Sequence, residues 1–314
     1  MNIGVDIGGT KCAVVLGDEK RLVQKIKFPT TNCEETLNNI IGAIEKIGKG
    51  DAIGISCGGP LDSQKGLILS PPNLPDWDRI SIVDLLSQKF GVPAYLCNDA
   101  NACALAEWKY GAGQGTQNMV FLTFGTGLGA GLILDGRLYN GTNGMAGEVG
   151  HIRLCQHGPV GYGKAGSFEG FCSGNGIAQI GRELALEQLQ VGKTLPYCRG
   201  TFDLDHIDAK LLADYANQGE PIAREAYRIC GEKLGQGLAV IVDILNPEVI
   251  VIGSVFQRAE NLLREHMESY LNKESLKLSN SVCRVVPAKL GDHIGDYAAL
   301  AVAFEGKMIG GERV

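Results

Sequence analysis

The residue types best suited to chemistry fall in two glycine and threonine turns, each lying between two apolar runs rich in β-forming residues. The first turn is Asp6-Ile7-Gly8-Gly9-Thr10 within residues 2–16, and the second is Gly125-Thr126-Gly127 within residues 118–134. Glycine lets backbone N–H groups approach an anion without interference from a Cβ atom, and each threonine adds a hydroxyl donor. Each segment is therefore predicted to be a β-hairpin whose turn binds phosphate, and two such hairpins could hold one nucleotide.

A dinucleotide-binding loop is the alternative for the second turn, because residues 125–130 come near the pattern G-x-G-x-x-G/A. That fingerprint requires a helix after the glycines. Residues 131–134 run directly into the turn signal Asp135-Gly136, which leaves too little chain for a helix. The hairpin interpretation is favoured. For either turn taken singly, a glycine-rich bend without function remains open.

Asp99 is the carboxylate best placed for proton transfer. Asn98-Asp99 follows a predicted strand over 94–97 and begins an alanine-rich helix predicted to run to about Tyr110. Ligands of open α/β sheets bind beyond the carboxyl ends of the strands, and a helix N-terminus favours the anionic carboxylate that can accept a proton. Aspartate at such a position also caps its own helix, and position alone leaves that alternative open.

The elements that must position these residues alternate between strands and helices. Apolar residues on one face predict an amphipathic helix over 34–49. From residue 177 onward the pattern is mainly helical. Its longest helical run is 220–245, and Pro221 is the signal for the start of that helix. The alternation predicts an α/β protein with mostly parallel sheets, and the recurrence of a hairpin followed by helices and strands suggests a duplicated fold.

A chain of 314 residues is long enough for two domains. Gly111–Gly115 is the segment most typical of a linker, so the boundary is placed there. We predict a small domain over 1–112, completed by a C-terminal helix over 296–314, and a large domain over 113–295.

Composition restricts the function classes further. The net charge is −6 and no block of lysine or arginine occurs, so binding to nucleic acid is not expected. The first residues already resemble a strand, without a basic or long apolar segment, so neither a secretion signal nor a membrane span is predicted and a cytoplasmic location is expected. Ten scattered cysteines without a C-x-x-C pair are predicted to be free thiols.

Five motifs, in this order, resemble those of the ROK family of sugar kinases, which is related to actin, Hsp70 and hexokinase. They are DIGGTK at 6–11, CGGPLD at 57–62, ND at 98–99, FGTGLGAG at 124–131 and GEVGHI at 147–152. The resemblance covers nearly the whole chain. It implies an α/β, two-domain actin-like ATPase (ribonuclease H-like) fold with a central interdomain cleft that takes ATP, Mg²⁺ and a hexose.

The same resemblance implies roles for individual residues. Asp99 resembles the general base that takes the proton from the primary hydroxyl of the sugar. The residues that resemble the rest of the sugar site are Gly59, Asn98, Glu148, His151 and Glu169. The residues that resemble the nucleotide and phosphate site are Asp6, Gly8, Gly9, Thr10, Lys11, Gly125, Thr126, Gly127 and Gly253, with Asp6 near the Mg²⁺ that accompanies ATP. The chain departs from the family where it has Gly253-Ser254, because the family often has two glycines there.

A second departure concerns zinc. Many family members have three zinc-binding cysteines after the histidine of the GH motif, whereas this chain has GYGKAGS at 161–167. A site left with one of four ligands is not a tetrahedral zinc site, so no structural zinc is expected, and packing of Tyr162 and Phe168 is expected to order the segment. Another metal site stays open, although its spacing matches no standard pattern. Its residues would be His151, Cys155, His157 and Cys172.

The function implied by the resemblance is ATP-dependent phosphorylation of the primary (6-) hydroxyl of a hexose, with glucose as the favoured acceptor. N-acetylmannosamine, N-acetylglucosamine and fructose kinases remain alternatives. A non-catalytic, sugar-sensing regulator is less favoured, because the repressors of the family carry a winged-helix DNA-binding domain in front and the first predicted strand here begins at residue 2. The resemblance also suggests a homodimer.

Overall fold

The computed structural model describes residues 1–19 and 21–310, and the side chains of 1–19 and 21–306. Its strands are β1 (Asn2–Ile7), β2 (Lys11–Gly17), β3 (Leu22–Pro29), β4 (Ile53–Cys57), β5 (Leu61–Asp62), β6 (Leu67–Ile68), β7 (Ile80–Ser81), β8 (Ala94–Asn98), β9 (Met119–Phe124), β10 (Leu128–Leu134), β11 (Arg137–Leu138), β12 (Val160–Gly161), β13 (Lys164–Ala165), β14 (Val249–Ile252) and β15 (Arg284–Pro287). Its helices are α1 (Cys33–Ile47), α2 (Ile82–Phe90), α3 (Asp99–Tyr110), α4 (Phe168–Phe171), α5 (Gly174–Gln190), α6 (Ala209–Asn217), α7 (Pro221–Leu245), α8 (Val255–Glu274), α9 (Lys277–Asn280) and α10 (Ile294–Gly310).

The chain divides into two compact units. Unit 1 contains residues 1–117 and 131–146 together with the described residues from 289 onward, and unit 2 contains 118–130 and 147–288. The domain division expected from sequence, with breaks after residues 112 and 295, stays a prediction. The end of its C-terminal helix, 311–314, lies outside the described residues.

The two five-stranded sheets repeat one strand order. In unit 1 the order is β3-β2-β1-β4-β8, with β1–β2 and β2–β3 antiparallel and β1–β4 and β4–β8 parallel. The second sheet has the order β11-β10-β9-β14-β15, in which β9–β14 and β14–β15 are parallel. Its strand β10 passes from unit 2 into unit 1 after Ala130. The repeated order confirms the duplicated fold, but the sheets are mixed rather than mostly parallel, because each begins with the strands of a hairpin.

Helix α10 packs closely on the sheet of unit 1. A Cβ atom on Gly54 of β4 would lie 2.1 Å from the backbone oxygen of Ala299, so only glycine permits this approach. Residues 298–303 of the helix are all buried. Burial of such an apolar face stabilises the fold by about 25 cal/mol per Å² of apolar surface removed from water. The helix begins at Ile294, two residues before the predicted start.

Helix α7 follows its sequence signals closely. It begins at Pro221 after Glu220, whose side chain accepts a hydrogen bond from the backbone N–H of Ala223, and it ends at Leu245. Asn246 follows with a left-handed backbone (φ 44°), a conformation that asparagine tolerates better than most residues. The buried face of this helix forms much of the core of unit 2.

The predicted linker at Gly111–Gly115 is a set of fixed turns at the end of α3. The backbone N–H groups of Gly111 and Gly113 both donate to the backbone oxygen of Glu107 at 3.0 Å. The indole nitrogen of Trp108 donates to the backbone oxygen of Thr116 at 2.8 Å. These bonds hold the segment in fixed turns, and its role as the boundary between domains stays a prediction.

Two expectations from composition can be compared with the structure. All ten cysteines lie in the described part of the chain and are free thiols, as predicted. Several are buried among apolar side chains, and this burial raises the pKa of the Cys97 thiol to about 12. Among the helices of the described residues, none combines the length and the apolar character needed to cross a membrane.

Candidate active site

Three parallel strands of unit 1 end at the same edge of the sheet. Ile7 at the end of β1 pairs with Cys57 of β4, and Cys57 pairs with Asn98 of β8. Beyond this edge the chain enters the first glycine turn, the CGGP segment and helix α3, respectively. Since ligands of open α/β sheets bind beyond the carboxyl ends of parallel strands, this edge is the place in unit 1 for a binding site. The structure thus brings three of the five motifs together.

Asn98, not Asp99, is the N-cap of helix α3. The side-chain oxygen of Asn98 accepts the backbone N–H of Ala100 at 3.0 Å, and Asp99 is the first helical residue. Oδ1 of Asp99 accepts the same N–H group at 2.8 Å. Nδ2 of Asn98 lies 3.4 Å from the position that a Cβ atom on Gly59 would take. The capping alternative for Asp99 is therefore weakened, because its neighbour already caps the helix.

The Asp99 carboxyl binds its proton more tightly than an ordinary aspartate does. Desolvation by the surrounding protein raises its pKa, and this outweighs the lowering effect of the N–H donated by Ala100. The side chain nevertheless keeps a substantial exposed surface. A carboxylate that is both accessible and more basic than usual is a suitable acceptor for the proton of a hydroxyl group.

Asp6 lies one residue before the end of β1. Burial, followed by the nearby negative charges of Asp296 and Asp99, raises the pKa of Asp6 to about 6. Asp296 is itself buried and pairs with Nζ of Lys25 at 2.5 Å. Carboxylate oxygen is the ligand type that Mg²⁺ prefers, and a Mg²⁺ bound with a nucleotide usually takes only one or two protein carboxylates. Asp6 fits that role in charge and position.

The first glycine turn is tight and its tip is exposed. The backbone N–H of Gly8 donates to the oxygen of Lys11 at 3.2 Å, which closes the turn. Thr30, which follows β3, holds the turn from one side, since its hydroxyl donates to the oxygen of Gly8 at 2.6 Å and its N–H donates to the oxygen of Thr10 at 3.0 Å. Gly9, Thr10 and Lys11 are exposed. The turn is thus fixed by backbone bonds while its outer residues remain available to a ligand.

The second glycine turn lies against the N-terminus of helix α5 in unit 2. The backbone N–H of Gly125 donates to the oxygen of Gly127 at 3.0 Å, and the N–H of Gly174 donates to the oxygen of Gly125 at 2.8 Å. A helix N-terminus attracts anions through its free N–H groups and its dipole. The sequence predicted a mainly helical region only from Ile177 onward, so this contact was not expected. The signal was Ser173, whose hydroxyl oxygen caps α5 by accepting the N–H of Gly176 at 2.9 Å.

Gly253 and Ser254 follow strand β14 close to the same turn. The N–H of Gly253 donates to the oxygen of Leu122 at 3.0 Å. Ser254 then takes a backbone with φ 54° and ψ −104°, and it forms the N-cap position of α8. This conformation suits glycine and strains a residue with a Cβ atom. The departure from two glycines therefore falls at a strained position.

Unit 2 also brings together the three remaining candidate sugar residues. Glu148 precedes a short 3-10 turn that contains His151, and the N–H of His151 donates to the backbone oxygen of Glu148 at 3.1 Å. Both of these side chains are exposed. Glu169 lies next to this turn. A Cβ atom placed on Gly150 would be 3.2 Å from the Cβ atom of Glu169. Oε2 of Glu169 accepts the N–H of Leu128 at 3.0 Å, which links the cluster to the second glycine turn.

The segment that replaces the family's zinc-binding cysteines is a short hairpin of β12 and β13. Phe168 just after it is fully buried and packs against Gly237 of α7. Tyr162 is 80% exposed and meets the ring of His151 edge-on, with 5.6 Å between ring centroids. The packing expected for Phe168 is present, but Tyr162 lies at the surface and does not fill a core.

Within the described residues, no group of three or more histidine, cysteine, aspartate or glutamate side chains is placed to hold a metal ion. The alternative site that included Cys155 and Cys172 is not assembled. Cys155 accepts a hydrogen bond from Lys233, and Cys172 is directed to the backbone oxygen of Cys230. That the protein needs no zinc stays a prediction.

Comparison with known proteins decides the family. The model of the ROK family matches residues 2–305. The chain belongs to the ROK family. This ROK protein is 32% identical to a glucokinase of Streptomyces coelicolor, over 97% of this chain and 98% of that protein. The match to the family confirms the resemblance drawn from the five motifs.

Two solved structures resemble the fold over its whole length. A ROK hexokinase from Thermus thermophilus is 30% identical with a TM-score of 0.81, covering 98% of this chain and 99% of that one. A ROK family glucokinase from Streptomyces griseus, solved with glucose and AMPPNP, is 30% identical with a TM-score of 0.76, covering 97% and 99%. These matches confirm the predicted actin-like ATPase fold.

Proposed function

We propose that this ROK protein is an ATP-dependent kinase that phosphorylates the primary hydroxyl of a hexose, with glucose as the favoured acceptor. The observation that carries the proposal is Asp99 at the end of β8, exposed and with a raised pKa, beside the cap residue Asn98. The similarity to a glucokinase over nearly the full chain supports it. The glucokinase solved with glucose and AMPPNP supports the two substrate classes.

In the proposed reaction, Asp99 accepts the proton of the sugar hydroxyl as that oxygen attacks the terminal phosphorus of ATP. Phosphoryl transfer passes through a loose transition state, so the protein contributes mainly by positioning and by neutralising charge. The start of helix α3 positions the Asp99 carboxylate. The side chains of Asn98 and Asp99 both accept the backbone N–H of Ala100. The raised pKa of Asp99 makes it a stronger base than an ordinary aspartate.

The two glycine turns are the proposed phosphate contacts. Each turn is closed by its own backbone hydrogen bond, so its shape does not have to form when ATP binds. Mg²⁺, when bound with ATP, supplies positive charge to the phosphates, and Asp6 is the residue we assign to hold it. Gly253 is assigned to the turn that contacts the adenosine part of ATP.

The proposed hydroxyl contacts combine acceptors and donors. Carboxylate oxygens accept hydrogen bonds, and an amide or imidazole can both donate and accept, which suits a sugar with several hydroxyl groups. The residues assigned to the sugar are Gly59, Asn98, Glu148, His151 and Glu169. Glu169 has a second task, because its Oε2 atom holds Leu128 beside the second glycine turn.

An acceptor panel tests the proposal. Purified protein with MgATP and a coupled ADP assay would be tested on glucose, N-acetylmannosamine, N-acetylglucosamine and fructose. Glucose is expected to give the highest kcat/KM. A higher value for an N-acetylated sugar or fructose would move the protein to one of the alternative kinases. Sugar binding by calorimetry without ADP formation for any sugar would favour a non-catalytic regulator and reject the kinase.

We further propose that the protein forms a homodimer, which sedimentation velocity would test.

A further inference from the structure

Cys155 and Lys233 form a close sulfur and nitrogen pair in unit 2. Nζ of Lys233 donates to Sγ of Cys155 at 2.9 Å, although the residues are 78 positions apart. Cys155 lies in the segment between the His151 turn and the hairpin of β12 and β13, and Lys233 lies in helix α7. Both side chains are partly exposed, so a small oxidant in solution can reach the pair. Thiolate character and access are what make a cysteine sensitive to oxidation.

Other contacts hold both partners in place. Nζ of Lys233 also donates to Oε1 of Gln236 at 3.1 Å and lies 5.4 Å from the ring centroid of Phe171. On the other side, the backbone N–H of Cys155 donates to the oxygen of Gly166 at 3.0 Å. The lysine side chain has therefore already lost much of the rotamer freedom that a covalent bond would remove. Once the sulfur is oxidised and becomes electrophilic, this placement favours its reaction with the Lys233 nitrogen over reaction with more distant groups.

We propose that Cys155 and Lys233 are the site of an oxidative N–O–S bridge, a covalent link in which one oxygen atom joins Sγ to Nζ. Dioxygen is the oxidant: R–SH and R′–NH₂ react with O₂ to give R–S–O–NH–R′ and H₂O. The S–H bond and one N–H bond break, and S–O and O–N bonds form. Sulfur and nitrogen each lose two electrons. The four electrons reduce one oxygen atom to the bridge and the other to water, which also takes the two hydrogens.

The surroundings of the pair favour this product over a disulfide. Cys172 and Cys230 are fully buried, and Cys172 is directed to the backbone oxygen of Cys230. The Lys233 amine lies 2.9 Å from the Cys155 sulfur, within reach of a reaction at that atom. Condensation of a sulfenic acid with an amine expels the oxygen as water and leaves a sulfenamide, so the gain of one oxygen atom is what identifies the bridge.

The bridge would tie the segment around Cys155 to helix α7. Phe168 already packs on the same helix at Gly237, so the link adds a covalent bond to an existing contact without moving the chain. A link of this kind stabilises chiefly by restricting the unfolded chain. The oxidised protein should therefore unfold at a higher temperature than the reduced protein. The inference does not depend on the kinase assignment, because its readouts are mass and thermal stability.

The test is mass spectrometry of the full-length protein kept either in air-saturated buffer or under argon with a phosphine reductant. The air-exposed protein should be heavier by about 14 Da, the balance of one oxygen gained and two hydrogens lost. Peptide mapping should find the peptides of Cys155 and Lys233 joined. Cys155→Ser and Lys233→Arg should each abolish the product. Cys283→Ser, which removes another partly exposed thiol of the same unit, should leave it unchanged.

Three outcomes would overturn the proposal. One is a gain of about 32 Da on Cys155 with Lys233 still open to an amine reagent, which would indicate sulfinic acid. Another is a bond that lacks the oxygen atom, either a disulfide that includes Cys155 or a sulfenamide with Lys233, which makes the protein lighter by about 2 Da. The third is a product of unchanged mass and yield in the Lys233→Arg protein, which keeps the charge and so the fold near Cys155.

Discussion

The carboxylate of Glu107 accepts the backbone N–H of Leu290, 183 positions later in the chain, at 2.8 Å. The same carboxylate accepts the N–H of Lys289 at 3.1 Å and that of Ala112 at 2.8 Å. Glu107 is fully buried. Ala112 lies shortly before the chain first leaves unit 1 after residue 117, and Lys289 is the residue at which it returns for the last time. One buried side chain therefore fixes both of these segments within unit 1.

Glu107→Ala should lower the free energy of unfolding by about 3 kcal/mol, because three backbone N–H groups lose their acceptor and a buried side chain is removed. Urea unfolding followed by circular dichroism measures the change. Glu45→Ala serves as the control, since Glu45 pairs with Lys89 at the surface and such pairs contribute about 0–1 kcal/mol. Equal stability of the Glu107 and Glu45 variants would contradict the assigned role.

Ser254→Gly should raise the free energy of unfolding by about 1 kcal/mol. Ser254 holds φ 54° and ψ −104°, and relief of this strain outweighs the greater freedom of glycine in the unfolded chain. Ser254→Ala is the matched control, because alanine keeps the Cβ atom and should give no gain. A glycine variant less stable than the alanine variant would show that the backbone at this position is not strained.

Glu169→Ala should raise KM for both the hexose and ATP. The carboxylate holds the N–H of Leu128 beside the second glycine turn and also belongs to the proposed sugar cluster. A loss of roughly 10-fold in each KM corresponds to about 1.4 kcal/mol per ligand. Glu169→Gln keeps an acceptor oxygen and should affect ATP less than the alanine variant does. An unchanged KM for ATP in Glu169→Ala would show that the bond from Glu169 to Leu128 does not support ATP binding.

Asp99→Asn should stabilise the fold at neutral pH. The folded-state pKa of Asp99 is raised, so its contribution to stability is fully present below the unfolded value of 3.8 and is lost as pH rises through the folded pKa. Removing the charge should therefore raise Tm at pH 7, and the difference from wild type should shrink toward pH 4. Differential scanning calorimetry at several pH values measures it. A variant less stable than wild type at pH 7 would show that the charged carboxylate is stabilised instead.

Local signals predicted the local parts of this fold. Pro221 marked the start of α7, and apolar runs rich in β-forming residues marked the strands around the two glycine turns. The segment Gly111–Gly115 was predicted to be a linker from its glycines, and the structure holds it in fixed turns. The bonds that fix this segment come from Glu107 and Trp108 a few residues earlier, and a glycine count carries no information about them.

Contacts between distant parts of the chain could not be predicted in the same way. No spacing in the sequence pairs Glu107 with Leu290, Lys25 with Asp296 or Cys155 with Lys233. The site motifs were found because each is short and contiguous. Their shared edge in unit 1 was predictable only in part, because the strand order that aligns them depends on sheet pairing.

The most direct test of the account is the activity of Asp99→Asn with MgATP and glucose, together with calorimetric measurement of glucose binding. If Asp99 takes the proton of the acceptor hydroxyl, kcat should fall by roughly 10²- to 10⁴-fold while glucose binding stays largely intact. The acid limb of the wild-type kcat/KM profile should lie above pH 3.8, because the pKa of Asp99 is raised. Turnover near the wild-type value in a folded Asp99→Asn protein would contradict the account.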